Sequence, residues 1–540
     1  MALLGGVAIG EMIDAAVVMI ENAPKHGSGR ATAGAWMRAH AEAGALSLFV
    51  ARAACLLVRG FGMRPDGEPV DRAPTGIPGA IPATGGFGGN AEQKGRSRSL
   101  IRQWGDAKAR RRARSGHLLE DAMKIRMLAA ACAAAAFAYG AVPAAQAADD
   151  TIVLGAAVSL TGKYSTNGKN TKDGYDLAVK TINGKGGVKV GGKAYKLKVV
   201  YYDDESTSAR GAQLVERLIS QDHVDFVLGP YSSALTKAIA PITEKYKMPM
   251  VEGNGADRGL FKNGYRYLFA VLNTSDYYLR EAVNILAEQA KKAGKDPKTV
   301  KIAIAIENDN FSQDVRDGIV EDAKKYGMQI VIDDKLPAEL NDMTATLTKV
   351  KALKPDALMI SGHEKGAVLG IRQVAELQVY VPMLALTHCD SAQITEKFGK
   401  ESDYAFCGSQ WDVSMTYSDR WFGNSQQYAD MFKKAYNYDP PYQAAESTAS
   451  VEVFADAIAR AGSLDKEKVR NALAKTDLMT FYGPVKFDAT GKNVAKSMVM
   501  YQVQNEDYVV VAPSKWASAK PIYPAPTWDK REAVAKVSRK

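Results

Sequence analysis

From Asp149 onward, short runs rich in Val, Ile and Ala alternate with longer stretches in which apolar side chains recur every three or four positions. Thr151–Val158 (TIVLGAAV) carries no charge and predicts a strand buried on both faces. Over 168–182 the residues Tyr175, Leu177, Ala178, Val179 and Ile182 share a helical face, and Asn183-Gly184 and Gly186-Gly187 supply the stop. A strand over 197–204, a helix over 208–221 and a strand over 224–229 come next. After Thr274 the pattern restarts: helices over 277–293, 312–326, 341–352 and 365–377 alternate with strands over 301–306, 329–334, 357–361 and 382–386. Repeated strand, helix, strand at this spacing predicts parallel α/β sheets with right-handed crossovers, and two such runs predict two lobes.

Open parallel sheets meet ligands at the carboxyl ends of their strands, where loops run into helix N-termini with free amide donors. The first such loop, 159–168, offers hydroxyls, Tyr164, Asn167 and glycines. The third offers Gly229-Pro230-Tyr231-Ser232-Ser233, in which Ser232 or Ser233 can cap the next helix and also present a hydroxyl beside its positive end. In 248–256, two glycines flank Asn254 ahead of Ala256, so that backbone groups around Gly255 can approach a ligand closely.

The upstream part of the chain has a different character. Residues 123–147 (Met123 to Ala147) combine Lys124 and Arg126, an apolar run and a terminal Ala-Gln-Ala, the pattern of a secretory signal peptide with its cleavage site. Residues 1–122 hold 13 Arg and 3 Lys, whereas residues 148–540 hold 12 Arg and 40 Lys, which marks 1–122 as an unstructured or mis-started leader. The basic run 108–114 reads as a nucleic-acid patch or, preferably, as part of that leader. The formal charge of +10 divides into +5 for the leader, +2 for the signal and +3 for the remainder, so nucleic acid is not implied. Cys389 and Cys407 are the two cysteines beyond the signal. In an oxidising compartment they can pair, worth about 3 kcal/mol for a loop of roughly 19 residues.

The ordered series Leu160-Thr161-Gly162, INGKGG, LKVVYYDDES, VDFVLGPYSS, MPMVEGNGA and GYRYLFAVLNTSD resembles the periplasmic leucine/isoleucine/valine-binding protein family over about residues 150–525. The resemblance implies a two-lobed type I periplasmic binding protein fold with three hinge crossovers, expected near 270–274, 405–412 and 480–485. Lobe 1 would comprise 148–272 and 410–478, lobe 2 would comprise 273–409 and 479–525, and 526–540 would form a tail. It implies a monomer without cofactor that hands a small ligand to the permease subunits of an ABC transporter.

By the same resemblance, Ser232 or Ser233 holds the ligand carboxylate, Ala256 stands where a second hydroxyl is expected, and Phe311 lies against the ligand. His363 comes after the strand where an aromatic residue is expected. Thr387 occupies the position of the acidic group that receives the ligand's ammonium, unless Asp390 or Glu364 takes over. An unpaired buried ammonium costs several kcal/mol, so an amine-free aromatic or aliphatic carboxylate competes with an amino acid as ligand. His363 and His388 can serve as neutral donors to such a ligand. A sensor that presents its ligand to a receptor would share the fold.

Catalysis is not expected. The chain lacks G-x-S-x-G, a P-loop, H-E-x-x-H, a dinucleotide fingerprint and metal-ligand spacing. His363-Glu364 and His388-Cys389-Asp390 are the tempting clusters, but adjacent loop residues usually point apart.

Overall fold

The structure is a computed structural model that describes residues 150–531. The expected leader, the expected signal Met123 to Ala147 and the last residues of the expected tail lie outside the described residues.

The first sheet is built from β1 (Thr151–Val158), β2 (Val188–Val190), β3 (Lys193–Asp203), β4 (Phe226–Leu228), β5 (Met250–Glu252) and β6 (Leu268–Ala270), in the order β2-β3-β1-β4-β5-β6. All its pairings are parallel except the β2–β3 hairpin. Helix Ser165–Gly184 returns the chain across this sheet and lays Tyr175, Leu177, Ala178 and Ile182 into the core.

The second sheet starts with β7 (Lys301–Glu307), β8 (Gln329–Leu336), β9 (Ala357–Ser361), β10 (Met383–Thr387) and β11 (Phe406–Ser409), all parallel. Two small hairpins come next, β12 (Ser418–Asp419) with β13 (Gly423–Asn424) and β14 (Asp477–Thr480) with β15 (Gly483–Lys486). Antiparallel β16 (Val499–Gln504) and β17 (Asp507–Ala512) complete the order β17-β16-β11-β10-β9-β7-β8.

Between β13 and β14 the chain revisits the first sheet. Helix Tyr442–Ala461 packs along Ser165–Gly184 and over β2 and β5. The two helices approach closely at Gly174, where a Cβ would lie 2.3 Å from the Ala444 carbonyl oxygen, and Thr448 donates to the Gly174 carbonyl at 2.9 Å. Only glycine permits that approach.

The chain passes between the sheets three times: after β6, after β11 and between β15 and β16. The third passage lies over 487–498, beyond the 480–485 expected for it. The reason is that Asp477–Lys486 is consumed by the β14–β15 hairpin, which packs against helix Tyr442–Ala461 and β12. The C-terminal segment runs along the second sheet's flank, with Ala525 N–H donating to the Pro382 carbonyl at 2.9 Å and Trp528 Nε1 to the Val379 carbonyl at 3.1 Å. Among the described residues no helix is long and apolar enough to cross a membrane.

Candidate ligand site between the sheets

The loop after β1 is pinned from below: Ser159 Oγ donates to Asp204 at 2.6 Å and Thr161 Oγ1 to Asp203 at 2.7 Å. It thereby delivers Tyr164, whose ring meets Tyr231 edge-on at 5.4 Å. Tyr231 lies just past β4, and Ser232 behind it takes φ 84° and accepts from Leu235 N–H as the cap of helix Ser233–Lys245. A non-glycine residue in that region costs about 1–3 kcal/mol and is held there by its surroundings.

The second sheet contributes its own strand ends. Asp309, just past β7, caps helix Asn310–Tyr326 by accepting from Ser312 N–H at 2.7 Å. His363 lies just past β9 and His388 just past β10, with φ 50° and 64°. His363 Nε2 lies 2.5 Å from Asp309 Oδ2. Tyr231, from the opposite sheet, places its hydroxyl 3.0 Å from His363 Nδ1 and 3.1 Å from His388 Nε2. One phenol therefore joins both imidazoles and both sheets.

Burial opposes charge on His363, but the Asp309 and Glu307 carboxylates outweigh it and hold the imidazole above its ordinary pKa. Burial also works against the Asp309 anion, yet His363 and the Ser312 hydrogen bonds keep its carboxyl below the usual range. The two form an ion pair whenever His363 is protonated. For His388, burial and then the neighbouring His363 push the pKa well below the ordinary value, so this ring is neutral. Its Nδ1 is buried without a hydrogen-bond partner among the described residues.

The residues expected from sequence divide into two groups. Tyr164, Tyr231, Phe311 and His363 come together around this junction: Phe311 lies 5.2 Å from His363 and 5.0 Å from His388. Ser232 stands at its helix cap beside Tyr231. The others are engaged elsewhere. Ser233 Oγ accepts from Asp257 N–H at 3.0 Å. Asn254 and Gly255 N–H both donate to Glu252 Oε2, at 2.8 and 2.5 Å, so those amides are consumed by a buried side chain whose own pKa burial pushes up to about 8. Ala256 is buried and its carbonyl accepts from Ser275. Asn167 is buried, with its Oδ1 unpartnered among the described residues.

Thr387 Oγ1 turns to Ser361 Oγ at 3.4 Å, within its own sheet. Asp390 accepts from Ser391 N–H at 2.8 Å and Tyr442 N–H at 3.3 Å, and burial pushes its pKa up to about 6. It caps the start of helix Tyr442–Ala461 from the opposite lobe. Cys389 and Cys407 form a disulfide with a Cα–Cα distance of 6.1 Å, tying the His388 loop to β11.

Sequence reasoning missed several participants. Tyr278 stacks on His388 at 6.3 Å, and Tyr442 closes the ring at 6.0 Å. Lys163 lies 3.5 Å from Glu307 across the sheets and 4.7 Å above the Tyr164 ring. Glu307 and Asp309 were accessible to the strand-end rule; Tyr278 and Tyr442, on other elements, were not. Glu307, Asp309 and His363 place ligand-type atoms within 4.8 Å of one another. Each is already engaged by the His363–Asp309 or Lys163–Glu307 pair, so the cluster reads as an ion-pair network. The junction can close on a small molecule with an apolar body, an anion at the Ser232 cap and a polar group at the histidines.

Residues 151–507 match the family model described as periplasmic binding protein. Leu/Ile/Val-binding protein homolog 7 of Brucella suis is 25% identical over 71% of this chain and 96% of its own length. Among solved structures, the branched-chain amino acid transporter substrate-binding protein LivJ from Streptococcus pneumoniae, in complex with isoleucine, is similar with a TM-score of 0.58 and 24% identity, over 67% of this chain and all of that one. A solute-binding protein of an ABC transporter from R. palustris, in complex with benzoate, is similar with a TM-score of 0.57 and 18% identity, over 67% of this chain and 96% of that one.

Proposed function

The chain belongs to the periplasmic binding protein family, and from that premise we propose that it captures a small carboxylate-bearing ligand between its two sheets and delivers it to the permease subunits of an ABC transporter. The observation that carries the reading is Tyr231, whose hydroxyl reaches His363 and His388 across the junction. Groups from both lobes converge on one point, so a ligand bound there favours the closed arrangement over any open one. The Ser232 cap and the first amides of helix Ser233–Lys245 supply an anion cradle. In this proposal the chain acts as a binder, its Tyr231, His363 and Asp309 joining the two lobes. Met123 to Ala147 would direct its export to the periplasm.

Two ligand chemistries fit the cradle, an amino acid such as the isoleucine held by the Streptococcus relative and an amine-free acid such as the benzoate held by the R. palustris one. The amine-free reading is favoured by what the acidic groups are doing. Asp309 is paired with His363, Asp390 caps a helix, and Thr387 carries no charge. A thermal-shift screen of amino acids and amine-free carboxylates tests the proposal. Stabilisation that grows with ligand concentration is expected, and silence across both classes would overturn it.

A further inference from the structure

Four residues at the junction form a hydrogen-bonded series: Asp309, His363, Tyr231 and His388, linked at 2.5, 3.0 and 3.1 Å. Its direction is set by the protonation of His363. Asp309 Oδ2 can only accept, so His363 Nε2 bears a proton. Facing Asp309 and Glu307, His363 holds a second proton more firmly than a free imidazole, and below about pH 6.5 it carries that proton at Nδ1. Tyr231 Oη then accepts from His363 and directs its own O–H to His388 Nε2. A neutral imidazole whose Nε2 accepts must hold its proton at Nδ1. That Nδ1–H is the atom left buried without a partner, on a ring only 3% exposed and enclosed by Tyr278, Phe311 and Tyr442.

A buried donor left unmade costs about 1–3 kcal/mol, and this one is oriented by a relay of three other side chains. Resting on the carboxylate-capture reading above, we propose that His388 Nδ1–H is the specificity-determining donor of the second lobe, and that the ligand carries a second, uncharged oxygen, an oxo or hydroxyl group, to receive it. An ammonium at that point would set donor against donor. The preferred substrate class is therefore oxo or hydroxy carboxylic acids, with the carboxylate at the Ser232 cap and the second oxygen at His388.

Calorimetric titration at about pH 6, where His363 is charged, with two matched series tests this. One series is 4-methylpentanoate, 4-methyl-2-oxopentanoate and L-leucine; the other is benzoate with 3- and 4-hydroxybenzoate. In the wild type at least one oxygen-bearing acid is expected to bind about tenfold tighter than its bare parent, as one buried hydrogen bond allows. In His388→Phe that margin should fall below about twofold, with circular dichroism and a cooperative thermal melt showing that the variant is folded. Tyr231→Phe keeps the ring but frees His388 Nε2, and should shrink the same margin. Nitrogen-15 NMR of the imidazoles gives an independent reading, with His388 expected as the Nδ1–H tautomer.

A margin that survives His388→Phe, or no margin in either series, would overturn the inference. L-leucine binding tighter than both bare parents would overturn it too, while leaving carboxylate capture intact. Failure of every acid to bind would remove both.

Discussion

Gln410 and Asn273 exchange a pair of hydrogen bonds across 137 positions of sequence: Asn273 N–H donates to Gln410 Oε1 at 3.1 Å, and Gln410 Nε2 donates to the Asn273 carbonyl at 2.9 Å. Each residue lies on a different passage between the sheets. The third passage joins them, because Asn273 Nδ2 donates to the Lys496 carbonyl at 2.8 Å and Lys496 Nζ to the Gln410 carbonyl at 2.6 Å. Burial pushes Lys496 down to about 7, and the ammonium is sheltered over the Tyr482 ring at 4.1 Å. The three crossings are thus one hydrogen-bonded knot, about which the lobes would move.

Gln410→Ala should be costly for that reason. It leaves the buried Asn273 N–H and carbonyl without their partner, an expected loss of about 2 kcal/mol or more. Urea denaturation monitored by tryptophan fluorescence checks this; an unchanged midpoint would mean that water or a neighbour replaces the side chain.

His388 and His363 carry opposite pH dependences. The folded protein refuses a proton on His388 that the unfolded chain accepts, so stability associated with this group is full above about pH 6.5 and falls as the pH drops below it. His363 has a raised pKa. It faces Asp309, Glu307, Lys163, Tyr164, Tyr231 and His388, and its contribution is full below about pH 6.5 and lost as the pH rises through the raised value. Melting temperatures between about pH 5 and about pH 8 should therefore fall less on the acid side in His388→Phe than in the wild type. In Asp309→Asn the alkaline loss due to His363 should shrink. Profiles parallel to the wild type in both variants would contradict this account.

Gly168→Ala should destabilise the first lobe strongly. An added Cβ would sit 1.8 Å from the Ser159 carbonyl oxygen, a backbone atom. Either the loop that carries Tyr164 or the helix start must shift, at an expected cost of about 2–3 kcal/mol. Equilibrium denaturation measures the cost, and reduced affinity in the thermal-shift screen would report the displaced Tyr164.

Removing the Cys389–Cys407 bridge by a double Ser substitution should lower stability by about 3 kcal/mol, since it releases an 18-residue separation in the unfolded chain. The loss should appear equally in the wild type under reducing conditions. Because His388 adjoins Cys389, ligand affinity should weaken along with stability. A variant as stable as the oxidised wild type would show that the loop is held by Asp390 and Ser391 instead.

Much of the fold was legible because its signals are local. The β1 strand is read from eight uncharged residues, and the helix after it from apolar side chains at helical spacing ending in glycines. Tyr164 and Tyr231 could be picked out because a parallel sheet exposes the loops at the carboxyl ends of its strands, and Phe311 and His363 because the family resemblance expects an aromatic residue after those strands. The hairpin Asp477–Lys486 hid the third passage, since its short apolar runs carry no sign of where they pack.

Thr387 and Asp390 show the limit on the site. Both stand at the right strand end, yet one hydroxyl is turned toward Ser361 and the other residue's carboxylate caps a helix that begins 52 positions later. Sequence alone determined the alternation of strands and helices, and with it which loops could meet a ligand, because hydrophobic period and turn chemistry act over a few residues. Only the tertiary structure decided that Asp309, His363, Tyr231 and His388 form one relay, because hydrogen bonds between residues as much as 157 positions apart depend on how the two sheets are set against each other.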